Sequence, residues 1–128
     1  MNALYDGNKG PRAFEIDVNE GFYPNILNIT VHGNTGGTTS DSVKHLSTKH
    51  VAEEDLSEDF HTYGVEWNEK ELIFYFDGKE IDRKPALNAQ LPVTPIISSA
   101  VLNWAGPISD DADGKSMDVD WIRVYKKK

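Results

Sequence analysis

Three carboxylates fall within six residues of one strand-like run, Phe14-Glu15-Ile16-Asp17-Val18-Asn19-Glu20. Residues two apart on a strand share a face, so Glu15 and Asp17 point the same way, while Glu20 has the wrong parity to join them. One extra residue, a β-bulge at Val18-Asn19, restores that parity, and bulges are frequent beside active sites because they re-aim a side chain. Acids gathered on one face repel one another, and the repulsion raises the pKa of at least one of them. Stability gains nothing from this arrangement, whereas cleavage of a glycosidic bond by paired carboxylates requires it. With the bulge, Glu15 and Glu20 stand roughly 13 Å apart along the backbone, and side chains leaning inward from a curved strand bring their carboxyls to about 5 Å, the separation of a retaining mechanism. A polar edge strand carrying solvated acids is the alternative, because an acidic chain produces such runs by chance.

The elements that must hold these acids read as strands. In Ile26 to His32, Leu27, Ile29 and Val31 face one way and Asn28, Thr30 and His32 the other, the mark of a sheet with one apolar and one polar face. Residues 33–42 lack a hydrophobic anchor and read as a loop. Lys44 to Val51 reads as a further strand, and Ala52 to Asp59 as room for one helical turn. Phe60 to Trp67 and Leu72 to Phe76 form a hairpin, and Asp77-Gly78, which accepts positive φ at low cost, turns the chain into Lys79 to Arg83. Pro85 to Pro95 is a connection with space for a short helical turn. Ile96 to Trp104 is expected as a strand, 106–116 as a polar loop, and Met117 to Tyr125 as the last strand. Short strands with turn signals between them and almost no helical pattern indicate an all-β sandwich.

Glu15-x-Asp17-x-x-Glu20, followed by Gly21 and a strand reaching His32, resembles the catalytic signature of glycoside hydrolase family 16, which includes laminarinases, lichenases, agarases and carrageenases. Asp59-Phe60-His61-Thr62-Tyr63-Gly64-Val65-Glu66-Trp67, then Phe74-Tyr75-Phe76-Asp77-Gly78-Lys79, and finally Met117-Asp118-Val119-Asp120-Trp121-Ile122-Arg123-Val124-Tyr125 resemble later strands of that family, in family order. The resemblance implies a β-jelly-roll sandwich of the concanavalin A-like kind and an endo-acting retaining β-glycanase. It implies Glu15 as nucleophile, Glu20 as general acid/base and Asp17 as the assisting acid between them. Trp104 matches a position where the family often stacks a Trp on a sugar ring; a core role is the alternative. His32 ends the polar face begun by Asn28 and Thr30, so Asn28 and His32 are expected to line the cleft and bind substrate, with a structural histidine as the other reading of His32. Trp67 and Trp121 sit in dense apolar patterns and read as core. His61 reads as structural, and His45 and His50 as surface residues. The Glu-x-Asp-x-x-Glu spacing is nearer the laminarinase, agarase and carrageenase branches than the lichenases, which have one residue fewer. Carrageenases need basic residues for sulfate, and the polar strand faces here offer little Lys or Arg, so a neutral β-1,3-glucan is the favoured substrate.

In family 16 the acidic strand lies near the middle of the jelly roll, yet only thirteen residues precede Phe14 here. Residues 1–128 are therefore expected to be the C-terminal part of one catalytic jelly-roll domain, incomplete at the N-terminus. An uncovered apolar sheet, in Phe60 to Phe76 and Ile96 to Trp104, is then expected to drive self-association. A carbohydrate-binding sandwich without turnover and an inactive half-domain that needs partner strands are the competing readings.

Composition narrows the partners. The net charge is −8, with 21 acidic against 13 basic residues, which disfavours nucleic acid. No apolar run approaches the ~20 residues of a membrane span. The chain has no cysteine, hence no disulfide and no thiolate metal site. No cofactor is required for glycoside hydrolysis, although the resemblance implies a structural calcium in some members, with Asp120 matching one of its carboxylates. Asp110-Asp111-Ala112-Asp113-Gly114 lacks the closing Glu of a twelve-residue calcium loop and reads as a solvated turn. A polysaccharide substrate places the protein outside the cytoplasm, in the extracellular or periplasmic space.

Overall fold

A computed structural model of the chain describes residues 2–3, 14–22, 24–34, 43–87, 93–105 and 110–127; of the loop expected at 33–42, Gly33 and Asn34 are strand and 35–42 lie outside them, as does the start of the 106–116 loop. Residues up to Ile96 form one compact unit and those from Ile97 onward a second.

The first unit holds two antiparallel sheets. Strands β1 (Asn2–Ala3), β2 (Glu15–Phe22), β3 (Ile26–Asn34), β4 (Val43–Val51) and β8 (Val93–Thr94) form a five-stranded sheet in the order β4-β3-β2-β1-β8. Strands β5 (Tyr63–Trp67), β6 (Glu71–Phe76) and β7 (Lys79–Pro85) form a three-stranded sheet in sequence order. The sheets pack through the apolar set that strand alternation places on their inner faces. Ile16 of β2 and Ile29 and Val31 of β3 meet Leu72 and Phe74 of β6, together with Phe14 and Ala86, in one buried cluster. Trp67 packs on it, its ring edge-on to Phe14 at 5.7 Å between centroids. A second cluster joins Leu27, Ala52, Leu56 and Phe76. The expectation of an uncovered face in Phe60 to Phe76 is thus corrected for Phe74 and Phe76, while Tyr63 at the start of β5 is exposed. Phe74 and Phe76 are buried because the five-stranded sheet supplies the opposing layer, while Phe60, ahead of β5, stays exposed.

Polar groups reinforce this packing at two places. Lys84, buried on β7, donates to Thr48 Oγ1 of β4 at 2.6 Å and pairs with Asp82 at 2.6 Å, linking the edges of the two sheets. At the β6–β7 turn, Asp77 and Gly78 both take positive φ (46° and 76°), as a two-residue hairpin loop demands. The Asp77 carboxylate reaches back to the start of β5, accepting from the Thr62 backbone N–H at 2.7 Å and pairing with His61 Nδ1 at 2.7 Å. Ala52 to Asp59 forms bends and turns instead of the expected helical turn, held by Asp55 accepting from the Ser57 N–H and hydroxyl.

The second unit departs from the sequence expectation. Ile96 to Trp104 and Met117 to Tyr125 are not strands; the regular pieces are short 3-10 turns at Asn103–Ala105 and Asp110–Ala112. A strand is completed by hydrogen bonds to a neighbour, and no strand among the described residues pairs with either segment. Their apolar residues, including Val101, Leu102, Val119, Ile122 and Val124, are consequently exposed. Trp121, expected in the core, is 47% exposed, with the Arg123 guanidinium 4.3 Å from its ring centroid.

Candidate functional site

The β2–β3 register builds the site. Glu15 lies opposite His32 and Asp17 opposite Thr30, but the next pair is Glu20 with Asn28. Val18 and Asn19 therefore share the single partner Ile29, a bulge of one extra residue that returns Glu20 to the face of Glu15 and Asp17. Val18 turns to the core, and a buried Asn19 amide packs beside Gly21, where a Cβ would come within 3.3 Å of its nitrogen. Pairing of β3 with β4 extends the polar face by His45 opposite His32, Ser47 opposite Thr30, and Lys49 opposite Asn28. Three rows result: Glu15–His32–His45, Asp17–Thr30–Ser47 and Glu20–Asn28–Lys49. Asn28 Nδ2 donates to the Glu20 carbonyl at 3.4 Å, and Thr30 and Ser47 share a hydroxyl hydrogen bond of 3.1 Å.

Asp17, in the middle, carries the electrostatic load. Burial first, then the charges of Glu15 and Glu20, lift its pKa to about 6, with His32 offsetting part of the rise. His32 Nε2 lies 3.1 Å from Asp17 Oδ2. The sequence pointed to repulsion as the cause of an elevated pKa; in the structure desolvation leads, because only 13% of the Asp17 side chain is exposed, and the charges of Glu15 and Glu20 come second.

A stability prediction follows from this shift. The folded chain holds the Asp17 proton more tightly than an unfolded chain, whose Asp titrates near 3.8. The associated stability is fully present below the unfolded pKa and is lost as pH rises through about 6. Asp17→Asn removes that loss, so the variant is expected to be more stable than the wild type at pH 7 by about 1–2 kcal/mol, allowing for solvent screening, and to lose the advantage at about pH 4. Thermal melts at the two pH values check this; an equal difference at both would rule out Asp17 as the titrating group.

Comparison with known proteins meets the same strands. The model of the glycosyl hydrolases family 16 matches residues 1–123. The chain belongs to glycosyl hydrolase family 16. It is 39% identical over 118 residues to endo-1,3-1,4-beta-glycanase ExsH of Rhizobium meliloti (strain 1021), covering 87% of this chain and 23% of that protein. Endo-1,3-1,4-beta-glycanase EglC of the same organism is 35% identical over 116 residues, with the same coverage. A beta-glucanase of Acetivibrio thermocellus is 40% identical over 62 residues, 48% of this chain and 17% of its own length. The chain thus spans about a quarter of the length of the first two relatives. No solved structure matches it.

The remaining residues singled out from the family 16 resemblance are distributed as follows. Glu15, Asp17, Glu20, Asn28 and His32 share one sheet face in the first unit. Trp104 lies in the 3-10 turn of the second unit and is 57% exposed. Asp120, also exposed, offers one carboxylate where calcium takes six to eight oxygens. Among the described residues it joins no group of three His, Cys, Asp or Glu ligands. Glu54, His61 and Asp77 do approach one another, but Asp77 is already engaged by Thr62 and His61 as a lock on the hairpin. His45, read from the sequence as a surface residue, is exposed. Its position opposite His32 depends on the β3–β4 register, and the connecting residues carry no marker of that register.

Proposed function

We propose that the chain carries the catalytic acids of an endo-acting, retaining β-glycan hydrolase that cleaves a glucan containing β-1,3 linkages. The observation that carries this reading is the bulge, which aligns Glu15, Asp17 and Glu20 on one polar face. Glu15 is the nucleophile. Its carboxylate attacks the anomeric carbon while Glu20, protonated, delivers its proton to the departing glycosidic oxygen, leaving a glycosyl ester on Glu15. Glu20, now a carboxylate, takes a proton from water as the water attacks that ester, and the sugar leaves with its original anomeric configuration. Asp17 stands between them and shares its proton with Glu15, a role suited to a carboxyl that titrates near neutrality. Asn28 and His32 bind sugar hydroxyls along the same face, and Trp104 stacks on a ring. The printed names of the two Rhizobium relatives, both 1,3-1,4-beta-glycanases, support the linkage class. Secretion to the extracellular or periplasmic space belongs to the same proposal, since polymeric glucan is met there.

The test is to incubate the protein with β-1,3-glucan and with mixed-linkage β-1,3-1,4-glucan and follow the first product by proton NMR. Release of a β-anomer that then mutarotates is expected. An α-anomer as first product overturns the nucleophile assignment, and binding of glucan without any new reducing ends favours a carbohydrate-binding sandwich.

A further inference from the structure

We propose that His45 is a positioning residue that fixes the tautomer of His32 and so aims the His32 Nε2–H at the Asp17 carboxylate. The inference rests on the reading of Asp17 as the middle acid of the site, and its geometry is independent of turnover. His32 Nε2 is 3.1 Å from Asp17 Oδ2, and above about pH 6, where Asp17 is a carboxylate that can only accept, Nε2 carries the hydrogen. A neutral His32 then has a lone pair on Nδ1. That atom is in hydrogen-bond contact with Nδ1 of His45, the two rings meeting edge to face with centroids 4.6 Å apart. One proton lies between the two Nδ1 atoms. For neutral His32 it belongs to His45, which donates; the opposite tautomer of His32 would set two hydrogens against each other and leave Asp17 without its donor.

The register explains why His45 can do this. His45 is directly across the β3–β4 ladder from His32, which is directly across β2–β3 from Glu15, so the chain His45–His32–Asp17 runs sideways over three strands. The charged groups facing His32 are Glu15, Asp17 and Glu20 from β2, with His45 and Lys49 from β4. His32 therefore holds Asp17 with a directed hydrogen bond.

The experiment is a long-range proton–nitrogen spectrum of the imidazoles in the 15N-labelled full chain, for the wild type, His45→Phe and His45→Asn. In the wild type His32 is expected wholly as the Nε2–H tautomer at neutral pH. His45→Phe keeps an aromatic ring but no donor, and His32 is expected to shift toward a tautomer mixture. His45→Asn restores a donor amide and is expected to return His32 to Nε2–H. An unchanged His32 tautomer in His45→Phe overturns the proposal; so does a failure of His45→Asn to differ from His45→Phe, and should the Phe variant not fold, His45→Ala takes its place in the comparison. In hydrolysis, His45→Phe is expected to lower kcat about tenfold at unchanged KM, the size of effect seen when an orienting partner is lost, and to move the acid limb of the pH profile. Absence of hydrolysis in the wild type would count against the proposed function, and the tautomer result would still decide the role of His45.

Discussion

Glu15→Gln is expected to abolish hydrolysis of β-glucan, by at least about 10⁴-fold in kcat, while the fold survives. The amide has nearly the shape of the carboxylate, and Glu15 is on the polar face opposite His32, away from the core formed by Ile16, Ile29 and Val31. On the proposed mechanism what disappears is the nucleophile, so no glycosyl ester can form. Added azide distinguishes this from a general loss of structure. A small anion can enter the space vacated by the charge and attack the anomeric carbon directly, giving a glycosyl azide of inverted configuration from an activated substrate. Substantial residual hydrolysis of polysaccharide in Glu15→Gln would remove it from the nucleophile role.

Glu20→Gln is expected to behave differently, because the nucleophile remains and only proton transfer is lost. Hydrolysis of polysaccharide, whose sugar leaving group needs protonation, is expected to fall by about 10²–10⁴-fold. An aryl glycoside with a good leaving group should still form the glycosyl ester quickly and then stall, since no base activates water. The measurable sign is a burst of phenol followed by a slow steady state, and azide should restore turnover with retained configuration. Equal losses on both substrates, without a burst, would mean that Glu15 and Glu20 have been assigned the wrong way round or that neither donates the proton.

Much of this site was legible before the structure. The alternation of Leu27, Ile29 and Val31 with Asn28, Thr30 and His32 marks the two faces of β3, and the parity mismatch of Glu20 requires the extra residue that the register contains. Asp77-Gly78 likewise forecasts a positive-φ turn. These features are local: each depends on a handful of consecutive residues and on strand geometry. What could not be read depends on partners distant in sequence. His45 meets His32 only through the β3–β4 register. The ordering of effects on Asp17 needed its burial, which no spacing reveals. Ile96 to Trp104 and Met117 to Tyr125 have the composition of strands, but composition does not provide the neighbour that a ladder requires.

The bulge in β2 also sets where this strand can change length. Elsewhere in β2 the loss of one residue turns every following side chain over, sending core residues to water and acids to the interior. Between Asp17 and Glu20 the outcome is the reverse. Removing either Val18 or Asn19 leaves two residues of β2 advancing against two of β3, so Asp17 still pairs with Thr30 and Glu20 with Asn28. The same carboxylate then reaches the same face by plain alternation. At this one point the strand can be shortened, by loss of Asn19, with Val18 still turned to the core and the acids still on the polar face, so a chain with a bulge and a chain without one can present the same three acids.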